Sequence, residues 1–206
     1  MALAKRIAVT LPAGPRIEDT VSRIQWAEEE GIADAWFSDS GAPDTLTQVA
    51  AIAHQTKNIR IGTAVTPVYT RSPSVLAASA NVIGQLLPDR FVMGLGSSSQ
   101  TIMGQFNGIP LDKPLTRVRE TAELVKIMLT GEKTNYDGET LFSQGYRQAP
   151  MENPPPIYLA ALRPKMIEMA VEVGDGVIFN LWPKAALPKM MEHIAIGAAK
   201  AGKKAE

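Results

Sequence analysis

The sequence predicts an α/β fold: a parallel sheet whose strands are joined by helical crossovers. Three observations predict it. Short apolar runs alternate strictly with amphipathic stretches of helical period, a rhythm that implies parallel strands with helices between them. Caps mark the helix boundaries, with Ser72-Pro73 at a start and Gly31, Gly131 and Gly174 at stops. Polar residues and glycines stand at the ends of several apolar runs: Ser38-Asp39-Ser40, Thr63-Ala64-Val65-Thr66, Gly96-Ser97-Ser98-Ser99, Ala160-Ala161-Leu162-Arg163 and Asn180.

The elements follow in order. Ile7-Ala8-Val9 reads as a buried strand. Pro15 opens a helix with Glu18 and Asp19 in its first turn, where the helix dipole favours acids. Ile17, Val21, Ile24 and Ala27 recur at helical spacing and mark its inner face. Ala35 to Ser38 is a second strand, with Trp36 and Phe37 expected in the core. A helix near Asp44 turns Leu46, Val49, Ile52 and Ala53 inward, with His54 on the same helix. Ile59 to Val65 is a third strand, followed by the Ser72-Pro73 helix to about Leu87. Phe91 to Gly96 is a fourth strand. A long loop leads to a helix over Leu115–Leu129, and Tyr136-Asp137-Gly138-Glu139 reads as a hairpin turn. Pro156 to Ala161 is a fifth strand and Pro164 to Val173 its helix. Val177 to Phe179 is a sixth strand, and the last helix spans Ala185–Ala201, with His193 expected exposed.

Composition narrows the function. The 206 residues suit one domain, assigned to 1–206. Lys+Arg and Asp+Glu are both 21, so the balance argues against a nucleic-acid surface, which works by neutralising phosphates. No basic run suggests a membrane patch, and no segment approaches transmembrane length. Met1 to Arg6 lacks the apolar core of a secretory signal, so the expected location is cytoplasmic. Without Cys there is no disulfide or thiolate chemistry. The two histidines, His54 and His193, are far apart, so no metal site is expected.

Two architectures fit this rhythm, an open doubly wound sheet and a barrel. The GxGxxG fingerprint of a dinucleotide fold is missing after the first strand, where the sequence is Leu11-Pro12-Ala13-Gly14-Pro15. In a barrel the polar strand ends would meet at one mouth, where barrel sites lie.

Five segments carry a family resemblance. Ile61-Gly62-Thr63-Ala64-Val65-Thr66-Pro67-Val68-Tyr69-Thr70-Arg71-Ser72-Pro73 and Arg90-Phe91-Val92-Met93-Gly94-Leu95-Gly96-Ser97-Ser98 resemble the third- and fourth-strand signatures of the luciferase-like monooxygenase superfamily. Thr116-Arg117-Val118-Arg119-Glu120 is similar to the helix start that follows. Pro156-Ile157-Tyr158-Leu159-Ala160-Ala161 and Gly174-Asp175-Gly176-Val177 are similar to the fifth and sixth strands. Their order and spacing agree along nearly the whole chain, and the resemblance is strongest to the branch that uses the deazaflavin coenzyme F420. It implies a (β/α)8 TIM barrel of the bacterial-luciferase type, here ending after about six βα units.

The resemblance also implies roles. A cis peptide at Ala64-Val65, running into Thr66, would form a bulge behind a flavin ring. Gly96, Ser97 and Ser98 would let the ligand approach the backbone and offer hydroxyls, although a glycine loop chosen for turn geometry alone gives the same letters. Ala160, Ala161, Leu162 and Arg163 would hold the cofactor phosphate at a helix start, while a solvated Arg163–Lys165 pair is the plainer reading. Asp39 would face the pyrimidine side of the ring; otherwise it caps the turn before the next helix. Trp182 could line the mouth, and Met166, Met169, Met190 and Met191 read as core or interface.

Two departures stand out. Relatives carry a His beside the acid after the second strand, where this chain has Ser40, and a Trp-His-Gly where it has Phe106-Asn107-Gly108. Ser40 and Asn107 are therefore the candidates for the catalytic position, and neither titrates as His does. The second departure is length: a (β/α)8 barrel runs to about 250 residues. An unclosed barrel leaves open edges, so the expectations are a homodimer, exchanged strands, a rearranged sheet or a place within a longer protein. Three functions follow: an F420-dependent oxidoreductase passing hydride to or from a small organic substrate; an FMN-dependent monooxygenase; or a shortened, non-catalytic flavin-binding or assembly protein.

Overall fold

A computed structural model describes residues 6–12, 14–40 and 42–204. Met1–Lys5 and Ala205–Glu206, which carry the readings made on the two chain ends, lie outside the described residues, as does Ala13 in the loop after the first strand. One sheet dominates. Its strands are β1 (Ala8–Thr10), β2 (Asp34–Phe37), β3 (Arg60–Thr63), β4 (Thr66–Pro67), β5 (Phe91–Gly96), β8 (Ile157–Ala160) and β9 (Gly176–Ile178). The order is β1-β2-β3-β5-β8-β9, every pair parallel, with β4 adding to β5 beyond the end of β3. The antiparallel hairpin of β6 (Asn135–Asp137) and β7 (Phe142–Gln144) stands apart.

The sheet is curled rather than flat. Trp36 on β2 and Tyr158 on β8 are three strand steps apart, which in a flat sheet is about 14 Å. Their ring centroids lie 6.0 Å apart, stacked at 29°. Both aromatics therefore point into the hollow of a partial barrel. Glycines make room for them: a Cβ on Gly62 would meet the Trp36 ring at 2.4 Å, and one on Gly176 the Tyr158 ring at 2.6 Å. Trp36 thus faces the hollow and is half-buried, a correction to its expected place in the core, while Phe37 is buried on the helix side. The central strand β5 is buried throughout, as a parallel strand covered on both faces should be.

The helices pack outside: α1 (Ile17–Glu29), α2 (Thr45–Ile52), α3 (Pro73–Leu86), α4 (Pro114–Leu129), α5 (Pro164–Val173) and α6 (Leu187–Ala201). Helix α1 starts two residues later than the Pro15 reading, because Arg16 takes the cap position in a reciprocal arrangement with Asp19. Its inner face is Ile24 and Ala27, both fully buried, with Val21 half-buried; Ile17 lies in solvent. Asp44 caps α2 by accepting from Thr47 N at 2.7 Å, and Ser72 caps α3 with Pro73 at its first position. Helix α2 ends at Ile52, and His54 sits exposed in the short 3-10 turn that follows. The third strand breaks at Ala64–Val65, a cis peptide, instead of running to Val65. The long loop after β5 holds a wide π-type helical turn, Thr101–Phe106, that the sequence pattern did not mark.

Glu168 on α5 binds the last two helices together. It is buried, and it accepts from Lys200 Nζ at 2.7 Å and Lys165 Nζ at 3.2 Å, with His193 Nδ1 at 3.2 Å. Lys200 foremost, then Lys165 and His193, outweigh burial and hold its carboxyl down to about 2. His193 is therefore part of the α5–α6 contact, not an exposed residue. Met169 and Met190 are buried, Met166 is half-buried, and Met191 is exposed. No described helix is long and apolar enough to cross a membrane.

Candidate active site at the strand ends

Parallel strands put all their carboxyl ends on one rim. The rim carries Asp39 after β2, Ala64–Val65–Thr66 after β3, Gly96–Ser97–Ser98 after β5 and Ala161–Leu162–Arg163 after β8. The curl brings three of these segments into contact. A Cβ on Gly96 would fall 2.6 Å from Val65 Cγ2 and 3.1 Å from Ala160 Cβ, so only glycine fits between them. Just below, Thr63 Oγ1 donates to Gly94 O at 2.8 Å and accepts from Gly94 N at 3.0 Å, fixing β3 against β5 where the chain turns into the cis peptide.

The polar groups of the rim are unevenly satisfied. Thr66 is fully buried, yet among the described residues its hydroxyl finds no hydrogen-bond partner. A buried orphan hydroxyl is costly, and in native structures such groups belong where a ligand or water completes them. Asp39 is 8% exposed and receives Arg71 Nη1 on Oδ2 at 2.8 Å. Arg71 also grips Asp44 through Nη2, so one guanidinium bridges two carboxylates. Burial, stronger than the Arg71 charge that opposes it, pushes the Asp39 carboxyl above the usual range. In Asp44 the hydrogen bonds from Thr47 and Arg71 overcome a smaller burial, and its carboxyl sits lower than usual. The capping role that Asp39 could have had belongs to Asp44.

Ser97 and Ser98 are half-buried, and Ser98 adopts a left-handed φ of 64°. Ser97 Oγ reaches only Ser98 O, at 3.4 Å. Ser99 caps the wide turn by accepting from Ile102 N at 3.2 Å. Arg163 is the N-cap of α5 without a capping side-chain bond; with Pro164 at the first position, the amides of Lys165 and Met166 are the donors at this helix start, beside an exposed guanidinium. Lys165 is exposed and reaches Glu168 at 3.2 Å.

The two candidates for the catalytic position are not gathered into this cluster. Ser40 lies exposed beyond Asp39. Asn107 is also exposed, and its Nδ2 donates back to Ile102 O at 2.6 Å, closing its own loop. Trp182 meets Phe179 edge-on at 6.3 Å near the end of β9. Arg71 is the residue that sequence reasoning passed over; its one local signal was its place just ahead of the Ser72-Pro73 helix start. Among the described residues no group of three His, Cys, Asp or Glu could hold a metal ion. A groove of about 480 Å3 runs beside β9, past Gly176 and Phe179 to Lys203, away from the Gly96 cluster.

Comparison with known proteins gives this geometry its context. The chain is 33% identical over 178 residues to a 5,10-methylenetetrahydromethanopterin reductase of Methanolobus tindarius, covering 86% of this chain and 54% of that protein. It is 32% identical over 207 residues to an F420-dependent glucose-6-phosphate dehydrogenase of Nocardia farcinica, covering 92% of this chain and 61% of that protein. The chain thus spans between half and two thirds of the length of these relatives. Among solved structures, the coenzyme F420 dependent tetrahydromethanopterin reductase of Methanopyrus kandleri superposes with a TM-score of 0.89 at 22% identity, over 97% of this chain and 62% of that one. The oxygenating constituent of 3,6-diketocamphane monooxygenase from Pseudomonas putida, in complex with FMN, superposes with a TM-score of 0.81 at 18% identity, over 98% of this chain and 65% of that one. These two likenesses establish the barrel fold from which the seven parallel strands are drawn. The family model for luciferase-like monooxygenases matches residues 1–206, and the chain belongs to that family.

Proposed function

We propose that this chain forms the deazaflavin-binding part of an F420-dependent oxidoreductase acting on a small organic substrate. The observation that carries the reading is the Gly96–Val65–Ala160 contact beside the orphaned Thr66 hydroxyl, a close-packed floor with one polar group waiting for a partner. The residues present fit a flat ring: the wall is small and apolar, and Thr66 offers both a donor and an acceptor. The relatives' dependence on F420 supports a deazaflavin over FMN.

A bound deazaflavin supplies hydride chemistry. Ala64, Val65 and Thr66 would back the ring, and Gly96, Ser97 and Ser98 would let it approach the β5 backbone. Ala160, Ala161 and Leu162 would line the same pocket. Arg163 and the start of α5 would hold an anionic tail, since a positive dipole end and a guanidinium together favour phosphate. Asp39 stands at the polar edge, held by Arg71. Ser40 and Asn107 remain outside this arrangement.

The test is titration of the purified chain with F420 and, separately, FMN, followed by absorbance and fluorescence. Selective F420 binding is expected, weakened by Arg163→Ala. Selective FMN binding would favour the monooxygenase reading. A folded chain that binds neither overturns the proposal and leaves the non-catalytic one.

A further inference from the structure

Resting on the reading above, we propose that Asp39 is the proton-exchanging group of the rim, with the Thr66 hydroxyl as its relay and Arg71 as the residue that positions it. This chain lacks an imidazole there, with Ser40 following Asp39 and Asn107 in the later loop. Both His54 and His193 lie elsewhere in the fold, one exposed in the turn after α2 and one beside Glu168.

Several independent features single out Asp39. It is the buried carboxyl at the strand ends; Asp44, its acidic neighbour, has a side chain 46% exposed. Only its Oδ2 is taken, by Arg71, and among the described residues Oδ1 accepts no hydrogen bond. Thr66, also buried, lies beside it; its hydroxyl makes no hydrogen bond of good geometry, yet it is close enough to the Asp39 carboxylate to favour the ionised form. A buried carboxylate with one shared arginine and a neighbouring hydroxyl in poor geometry is thus left short of full hydrogen bonding, a condition found where polar groups serve a site. The charged groups facing Asp39 are Arg71, from the turn ahead of α3, and Asp44, at the head of α2. A single cation between two carboxylates leaves one carboxylate undercompensated, and the more buried of the two takes the proton more readily.

The step is a proton transfer and nothing more. Oδ1 gains an O–H bond as the Thr66 O–H breaks, and Thr66 Oγ1 regains its proton as an O–H or N–H bond of the bound organic molecule breaks, or the reverse. The electron pair of that bond stays on the ligand atom, and the protein is neither oxidised nor reduced. Arg71 keeps the carboxyl oriented without donating a proton itself, since a guanidinium stays charged.

Two measurements on the existing chain decide it. Carboxyl 13C NMR of the unsubstituted, cofactor-free protein follows each Asp through pH. Asp39 is expected to titrate above the ordinary Asp value of about 3.9. Arg71→Gln should move that midpoint further up and Asp44→Asn should move it down. The second measurement is F420 affinity against pH by fluorescence. Wild type should change by up to tenfold per pH unit through the Asp39 midpoint, and Asp39→Asn should be flat. An Asp39 midpoint at or below the ordinary value, or a pH dependence that survives Asp39→Asn, overturns the inference while leaving the cofactor reading intact. Absence of F420 binding at every pH is the distinct result that removes both. Thr66→Val is the second variant should Asp39→Asn fail to fold; it should keep the raised midpoint and weaken F420 binding, and unchanged binding would remove Thr66 from the relay.

Discussion

Two aspartates on either end of one strand behave as opposites. Asp34 opens β2 at the closed end of the partial barrel, and Asp39 follows its carboxyl end at the rim. Both are buried. Asp34 receives Arg6 through Nε at 3.0 Å and Nη2 at 3.0 Å, and Arg60 Nε at 2.6 Å. Those two arginines overcome its burial and set its carboxyl below the ordinary value. Asp39 has one shared arginine, burial wins, and its carboxyl sits above. The difference teaches that the protein completes the carboxylate at one end of the strand and leaves the one at the rim with a single shared cation. Saturated carboxylates hold a fold together; undersaturated ones are available for chemistry.

Predictions follow from that contrast, the largest first. Asp34→Ala leaves Arg60 without its buried partner and should cost about 3 kcal/mol in urea unfolding. A cost near zero would dissolve the distinction between the two ends. Gly96→Val should cost about 1–3 kcal/mol by overpacking and abolish cofactor binding, because the Cβ alone would fall 2.6 Å from Val65 Cγ2. Retained binding would mean that the wall yields more than its packing indicates. The third prediction concerns sign. The stabilisation from Asp34 is present above its unfolded value of 3.8 and is lost as pH falls through its depressed folded value. Asp39 works in the other direction: its raised folded value makes the native state gain stability as pH falls from that value toward 3.8. Stability against pH, compared between Asp34→Asn and Asp39→Asn, should separate the two windows. Last and smallest, Asp39→Asn should change stability by less than about 1 kcal/mol, because a neutral amide is cheaper to bury there than a carboxylate. A loss matching that of Asp34→Ala would make Asp39 a structural residue.

How much of this was legible depends on how far apart the interacting residues lie. Ser72-Pro73 announced its helix because a cap is a contact between residues three apart, whereas the cap of α2 proved to be Asp44 and not Asp39. The central strand was legible because burial on both faces writes a continuous apolar run, as in Phe91–Gly96; the first strand, read as buried over Ile7-Ala8-Val9, begins at Ala8 and is largely exposed, with Ile7 72% exposed. The break at Ala64–Val65 and the rim segments around Gly96 and Ala160 were reached through the resemblance, since a periodic pattern has no letter for a cis bond. The wide turn at Thr101–Phe106 has no apolar period, so nothing local marked it.

By itself, then, the sequence determined the order and type of the elements, the parallel sheet and the set of strand ends where a site would lie. Each of these rests on short-range periodicity and capping, which twenty residues can express. The tertiary structure alone decided that Arg71 bridges Asp39 and Asp44, that Thr66 is left unpaired, that Trp36 turns inward to Tyr158, and that His193 serves Glu168. These partners are separated by 25 residues or more where the contact is a hydrogen bond across elements, as in His193–Glu168 and Arg71–Asp39. A carboxylate's protonation is set by what surrounds it in space, and only the closing of the sheet brings those neighbours to it.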